Sequence, residues 1–445
     1  MASAAEQMAR NMNFSAFQKS TDLQKRIWFT LGALIVYRLG TYIPLPGIDP
    51  VALEEIFRQN ASGLLGMFDM FTGGALSRMT IFALNIMPYI SASIIMQLMT
   101  AISPSLEQMK KEGESGRKKI NQYTRYLTVL ITIMQAYGIS VGLESMSNGS
   151  AVMEGGWFFR FTTVVTLTGG TMFLMWLGEQ ITQRGVGNGI SLIIFAGIVA
   201  NLPSALAGTL ELGRTGALST IFIIGLLILV IGVIFLIVFV ERAQRRIIVQ
   251  YPKRQRGNRM TGGESSHLPL KLNTAGVIPP IFAGSILGLP VTILGFSAAG
   301  SGPEWVTTLT ALMGRGQPAY LIIYVALIVF FAFFYTAVVF NPHDTAENLK
   351  KYGGFVPGIR PGKNTANYLD KVLSRLTVLG AAYLAAICLL PEILMSQYAV
   401  PFYFGGTSLL IVVTVTLDTV AQVQSHMMAH QYEGLIKKAK LRGRR

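Results

Sequence analysis

Charge is scarce in this chain. Only 13% of its 445 residues are Asp, Glu, Lys or Arg, against roughly a quarter in soluble domains. That deficit excludes an ordinary water-soluble surface. Cysteine is almost absent: Cys388 stands alone, so no intrachain disulfide can form. Lying inside an apolar run, it reads as a small hydrophobe. The histidines are His267, His343, His426 and His430. Only the last two have ligand-like spacing, and no cysteine lies near them, which argues against a metal site. There is no glycine-rich nucleotide loop, no nucleophile–base pair, and no selectivity-filter repeat or ring of acids. The long apolar stretches also lack the carboxylates with which transporters and pumps bind and couple ions. Arg38 and Asp418 are the exceptions, each able to pair within a bundle or reach a wetted cavity. An enzyme is therefore a poor reading, and neither cofactor nor metal is expected.

What the chain has is hydrophobicity, at 51% of residues, in long runs. Ten stretches approach the roughly 20 residues a helix needs to cross a bilayer: 27–44, 79–101, 122–142, 158–178, 190–208, 219–240, 273–294, 319–340, 372–391 and 402–423. The first follows Lys25-Arg26 and is long enough to span, so it reads as a membrane helix rather than a cleaved leader. Every second gap is basic: Lys19 to Arg26, the Lys110–Arg125 loop, the turn holding Arg184, Arg242–Lys271, Lys350–Lys371 and the Lys437–Arg445 tail. The other gaps carry acids such as Asp49, Glu54, Glu144, Glu211, Glu304 and Glu392. Basic loops stay in the cytoplasm, so the chain is expected to be polytopic with both ends on that side. An odd number of spans on each side of the middle loop permits two inverted halves meeting at an axis. The expected organisation is a cytoplasmic segment 1–26, an N-terminal half 27–208, an external hinge loop 209–218, a C-terminal half 219–423 and a basic cytoplasmic tail 424–445.

Three features exceed what anchoring needs. Ser62–Ala75 is apolar and looks helical but is too short to cross, at about 21 Å. It carries Asp69, ends in the flexible pair Gly73-Gly74, and either lies on the interface or folds back as a re-entrant element. Two spans carry prolines, Pro88 in Ile81–Met99 and Pro279-Pro280 in Leu272–Pro290. Such breaks free backbone groups and suit either a mobile, water-lined centre or ordinary kinked packing. The basic loops are elaborate: Lys110–Tyr126, Arg242–Lys271 and the segment from Asn341 to Lys371, with Arg360 and Lys363 near its tip. Exposed cations on shaped turns make a docking surface for lipid headgroups, nucleic acid or an acidic protein. Docked protein or ribosomal RNA fits loops projecting this far better than lipid does.

The segments TIFALNIMPYISASIIMQ, KKEGESGRKKINQYTRY, GTMFLMWLGEQIT with RGVGNGISLIIFAGIV, SSHLPLKLNTAGVIP, FNPHDTAENLKKYGGFVPGIRPGK and VPFYFGGTSLLIVV closely resemble the bacterial SecY family, in order from about Leu31 to Tyr432. The resemblance implies an all-α polytopic membrane protein of the bacterial cytoplasmic membrane. Its ten helices would form two inverted five-helix halves around an hourglass pore, with a short plug helix. The implied function is a protein-conducting channel that translocates unfolded secretory proteins and releases membrane segments sideways into lipid. Implied partners are SecE and SecG, the SecA motor ATPase, the ribosome, signal peptides and nascent chains, accessory membrane proteins such as SecDF and YidC, and anionic phospholipids. The family's aliphatic ring would fall on Ile86, Ile90, Ile194, Ile281 and Ile411. The plug would hold Ser62, Leu65, Phe68, Asp69, Phe71, Gly73 and Gly74; the lateral gate would hold Asn85, Pro88, Ser91, Pro279 and Pro280. Motor and ribosome would meet Lys253, Arg254, Arg256, Arg259, Arg360 and Lys363. One position departs: the family usually has glycine where this chain has Asn85, whose amide would either bond across the closed gate or ease its opening. A solute or ion transporter and a pore-less receptor for motor or ribosome remain the competing classes.

Overall fold

The computed structural model describes residues 21–49, 51–53, 69, 72–146, 152–216, 219–252, 254–256, 259–261, 265–287, 317–398 and 406–442. Within them, each of the ten expected spans coincides with helix. They are α1 (Thr21–Gly40), α2 (Met87–Ile102), which bends by 99° into α3 (Pro104–Lys111), α4 (Glu114–Met146) and α5 (Trp157–Arg184). Next come α6 (Gly189–Ala200) running into α7 (Leu202–Arg214), α8 (Thr220–Arg242) and α9 (Ile278–Leu287). The chain continues with α10 (Pro318–Val339), the short α11 (Pro342–Lys351), α12 (Lys363–Tyr398) and α13 (Gly406–Arg442). Seven of these spans are long and apolar enough to cross on those grounds alone, and the bent α2–α3 pair makes an eighth.

Many hydroxyls in these helices donate to a backbone carbonyl of their own helix, although those of Thr163 and Thr414 are buried without a hydrogen bond. Thr124, Thr128 and Thr132 donate to the carbonyls of Ile120, Thr124 and Thr128, one turn back. In lipid an unmade hydrogen bond costs several kcal/mol, so this back-bonding is what permits threonine there. Helices α4 and α5 run antiparallel and are tied by one ion pair near each end. Arg125 meets Glu179 at 2.6 Å and Arg160 meets Glu144 at 2.5 Å. Helix α8 is the opposite case: only Ile237 and Val240 are fully buried, Val230, Val233 and Ile234 pack partly against the core, and residues such as Ile221, Ile228 and Phe235 are exposed.

Several boundaries move. The basic loop expected at Lys110–Tyr126 is almost entirely helix, α3 and the start of α4, joined through Gly113 at φ +81°. Its many charges had read as loop, but lysine, arginine and glutamate are good helix formers. The expected hinge loop 209–218 is helix through Arg214. The all-α reading omits strands in the second basic loop. Here β1 (Gln244–Gln250) pairs antiparallel with β4 (Ser265–Lys271), and β2 (Arg254–Arg256) pairs with β3 (Arg259–Thr261). The alternation in QRRIIVQ was the available signal: Ile247 and Val249 turn inward while their neighbours stay exposed.

The prolines also act differently from expectation. Pro88 lies in the first turn of α2, and Pro279 and Pro280 in the first turn of α9. First-turn N–H groups have no partner within their helix, so proline starts these helices rather than kinking them. The residues before α2 form turns instead of the helix expected from 79, with Met79 and Asn85 at φ +43° and +49°. This segment is held as an extended stretch beside 43–45: Leu45 N–H donates to Met79 O, and Ile81 N–H to Ile43 O. It lies between two glycines, Gly40 of α1 and Gly170 of α5, where an added Cβ would overlap the Phe82 ring and the Ile81 carbonyl. Small residues let backbones approach this closely inside a membrane bundle.

Candidate functional site

Five isoleucines from four helical elements meet in one place. Ile86 caps α2 and Ile90 follows one turn later; Ile194 comes from α6, Ile281 from α9 and Ile411 from α13. Ile86, Ile90, Ile194 and Ile411 are at most 6% exposed, and Ile281 is partly buried against the same apolar cluster. Lipid-facing isoleucines would be exposed, as those of α8 are: Ile221 keeps 84% of its surface. The cluster gathers residues from both halves, Leu174, Ile193 and Ile198 with Phe282, Tyr324 and Leu410. Branched aliphatics offer water and ions no hydrogen bond, so a constriction lined by them would dewet.

Helices α2 and α9 border this cluster and touch through Ser285, whose hydroxyl lies 3.9 Å from Met87 Sδ. Pro88, Ser91, Pro279 and Pro280 are all buried. Asn85, just before α2, is also buried. Its Nδ2 donates to the Tyr37 hydroxyl of α1 at 3.5 Å. Its left-handed backbone explains why glycine suits this position, and asparagine is among the residues that tolerate it best.

The re-entrant segment is visible only at its root. Ser62, Leu65, Phe68 and Phe71 lie outside the described residues. Asp69 accepts the Ser77 N–H at 2.7 Å, and its own carbonyl accepts the Thr72 hydroxyl and the Gly74 N–H. Burial pushes the Asp69 carboxyl above its ordinary range, opposed by the Ser77 hydrogen bonds and by Arg78. Gly73 and Gly74 hold φ of +70° and +82°. They were expected to form a free joint, yet they sit in a bonded turn. Arg38 Nη1 donates to Gly73 O at 2.8 Å, and the Tyr37 hydroxyl to Thr72 O at 3.3 Å. Arg38 therefore has a partner at the segment's root, whereas Asp418 is exposed on α13. Nothing in the sequence around Tyr37 had singled it out.

The basic loops form a single platform rather than separate arms. Gln250 at the end of β1 and Phe355 exchange both backbone hydrogen bonds, at 2.9 and 3.0 Å. Ile247 and Leu270 of the ribbon share a small core with Val356 and with Leu369, Val372, Leu373 and Leu376 of α12. Arg360 and Lys363 are exposed beside it, where Gly358 and Gly362 turn the chain with φ of +81° and +103°. Arg254, Arg256 and Arg259 fall on the β2–β3 ribbon, and Lys253 lies outside the described residues. At the platform's root Asn273 joins α8 to the elbow before α9. Its Nδ2 donates to Glu241 Oε1 at 2.7 Å and to Gly276 O, while its Oδ1 accepts the Gly276 N–H.

The SecY family model matches residues 80–420. The chain belongs to the SecY family. Relatives within that family include the protein translocase subunit SecY of Rickettsia conorii, 56% identical over 97% of this chain and 99% of that protein. The protein translocase subunit SecY of Escherichia coli K12 is likewise 56% identical, over 95% and 96% of the two chains. Two solved structures share the fold. One is a SecY structure described by a plug domain that stabilises the closed state of the translocation channel and maintains a membrane seal (TM-score 0.65, 19% identity, 91% and 92% of the chains). The other is Sec61 in the canine ribosome–channel complex (TM-score 0.61, 18% identity, 91% and 93%). A SecY-family chain is not a solute transporter, which closes the competing reading.

Proposed function

We propose that this chain is the channel subunit of a bacterial protein translocase, passing unfolded polypeptide through the isoleucine waist and releasing apolar segments between α2 and α9. The observation that carries the reading is the burial of the five isoleucines in one cluster gathered from both halves. A waist of branched aliphatics grips an extended chain of any sequence, because it offers no polar group with which to choose. It also gives water and ions nothing to bind, which keeps the membrane tight. A signal peptide's apolar core of roughly 7–15 residues enters between α2 and α9, and sufficiently apolar segments partition sideways because leucine-like residues favour lipid.

The membrane is the bacterial cytoplasmic one, with both termini and the platform on the cytoplasmic side, as the basic loops require. The two halves are 27–208 and 219–423, and the re-entrant segment 62–75 is the plug. Energy comes from partners, since the sequence holds no nucleotide loop. Exposed Arg360 and Lys363, with the arginines of β2 and β3, form the face for the SecA motor and the ribosome. SecE and SecG complete the membrane complex; SecDF, YidC and anionic phospholipids are accessory. The test is reconstitution of the chain with SecE and SecG in liposomes, with SecA added. A secretory precursor should enter the vesicles in the presence of ATP, and vesicles carrying serine at all five positions should leak ions. Failure of transport with the unaltered chain, or tight and active vesicles with the serine variant, overturns the reading.

A further inference from the structure

The last turn of α1 carries two adjacent side chains that hold two consecutive carbonyls. Tyr37 donates to Thr72 O and Arg38 to Gly73 O. Tyr37 and Thr72 are at most 2% exposed, so these bonds form where water does not compete. Gly73 is pressed from the other side: a Cβ there would lie 3.1 Å from the Gly197 backbone of α6 and from Arg38 itself. Arg38 is in turn fixed by Tyr42, its Nη2 donating to the hydroxyl at 2.9 Å and its guanidinium lying 4.9 Å from the ring centre. Arg78 covers the same ring at 4.3 Å. The root of the re-entrant segment is thus clamped to α1.

Asn85 extends the clamp to the gate. Its amide donates to the same Tyr37 hydroxyl that bonds Thr72, and the next residue begins the turn into α2. A path of two hydrogen bonds therefore runs from the residue before the gate helix through the Tyr37 hydroxyl to the root of the plug, with Arg38–Gly73 beside it. The glycine usual in the family would keep the left-handed backbone but could not make this contact. Parting α2 from α9 moves the Asn85 end; displacing the plug moves the Thr72 end; either motion breaks hydrogen bonds at Tyr37.

We infer that Tyr37, with Arg38 and Asn85, is a latch coupling the gate helix to the plug root, and that Asn85 makes this channel stricter toward signal sequences than glycine would. The inference rests on the channel reading above. Both bonds at the Tyr37 hydroxyl are long, 3.3 and 3.5 Å, so losing one depopulates the closed state about twofold. A strong signal, which already opens the channel, gains little from that change, whereas a weak signal gains nearly all of it.

The experiment uses the reconstituted complex with SecE, SecG and SecA and two precursors, one with an intact signal and one whose apolar core has been shortened. Asn85→Gly and Tyr37→Phe should each raise import of the short-signal precursor, relative to that of the intact-signal precursor, about twofold. Adding Asn85→Gly to Tyr37→Phe should produce no further rise, because the shared hydroxyl is already gone. Arg38→Gln should add ion leak without a precursor present. Unchanged short-signal import in both single variants overturns the latch, as does full additivity in the double variant. A complex weakened only structurally would lose import of both precursors together, and that result also overturns the latch. Absence of intact-signal import in the unaltered chain counts instead against the channel reading.

Discussion

Ile411 has no exposed surface although it sits in a helix whose neighbouring positions, Thr416 and Asp418, are exposed. It is buried in a cluster drawn from both halves of the molecule, and sequence alone could place it there only through the family resemblance. Gly73 is a sharper residue-scale case. Its φ of +70° costs a non-glycine residue about 1–2 kcal/mol, and its Cβ would press on the Gly197 backbone. Gly73→Ala is expected to weaken the plug root and raise resting ion leak in reconstituted vesicles, measured by dye quenching. The sequence marked Gly73-Gly74 as flexible because glycine populates both halves of conformational space. The structure uses the same freedom for a fixed turn, since Arg38 and the Asp69 carbonyl fill its hydrogen bonds.

The prolines decide the outcome at the scale of elements. A proline inside a helix costs about 3 kcal/mol, but Pro88 lies in the first turn of α2. Pro88→Ala should therefore relieve no break and cost only the packing of its buried ring, about 1 kcal/mol, read as a slightly lowered unfolding midpoint of the detergent-solubilised complex. A rise in the midpoint, as when an interior break is relieved, would return Pro88 to the role of a kink. The elbow before α9 behaves oppositely. Asn273 makes three side-chain hydrogen bonds there, one of them to a carboxylate. Asn273→Ala should cost about 2 kcal/mol and lower the same midpoint. Spans were legible as runs of apolar residues, whereas helix starts were not. The turn at 79–86 depends on glycines 40 and 170 in other helices, which no local window contains.

For the molecule as a whole, the loops matter as much as the spans. The two basic loops are far apart in sequence yet share one core through Ile247, Leu270 and Val356. Val356 is 6% exposed, and a carboxylate there would be buried without a partner. Val356→Asp should uncouple the platform: SecA-driven import falls, while resting ion tightness, which belongs to the waist, stays as before. Import and leak measured on the same vesicles separate the two. A parallel loss of both would mean that platform and waist are one folding unit.

The sequence by itself marked the apolar spans of a membrane protein, because hydrophobic length is a local quantity that lipid reads directly. It also supplied the family through ordered segments. Only the tertiary structure decided that Asn85 bonds Tyr37, that the glycine pair is clamped, and that the second and third basic loops share a platform. Each of those depends on which backbone carbonyl or side chain arrives from a distant part of the chain, and hydrogen bonds between such groups leave no periodicity in either segment.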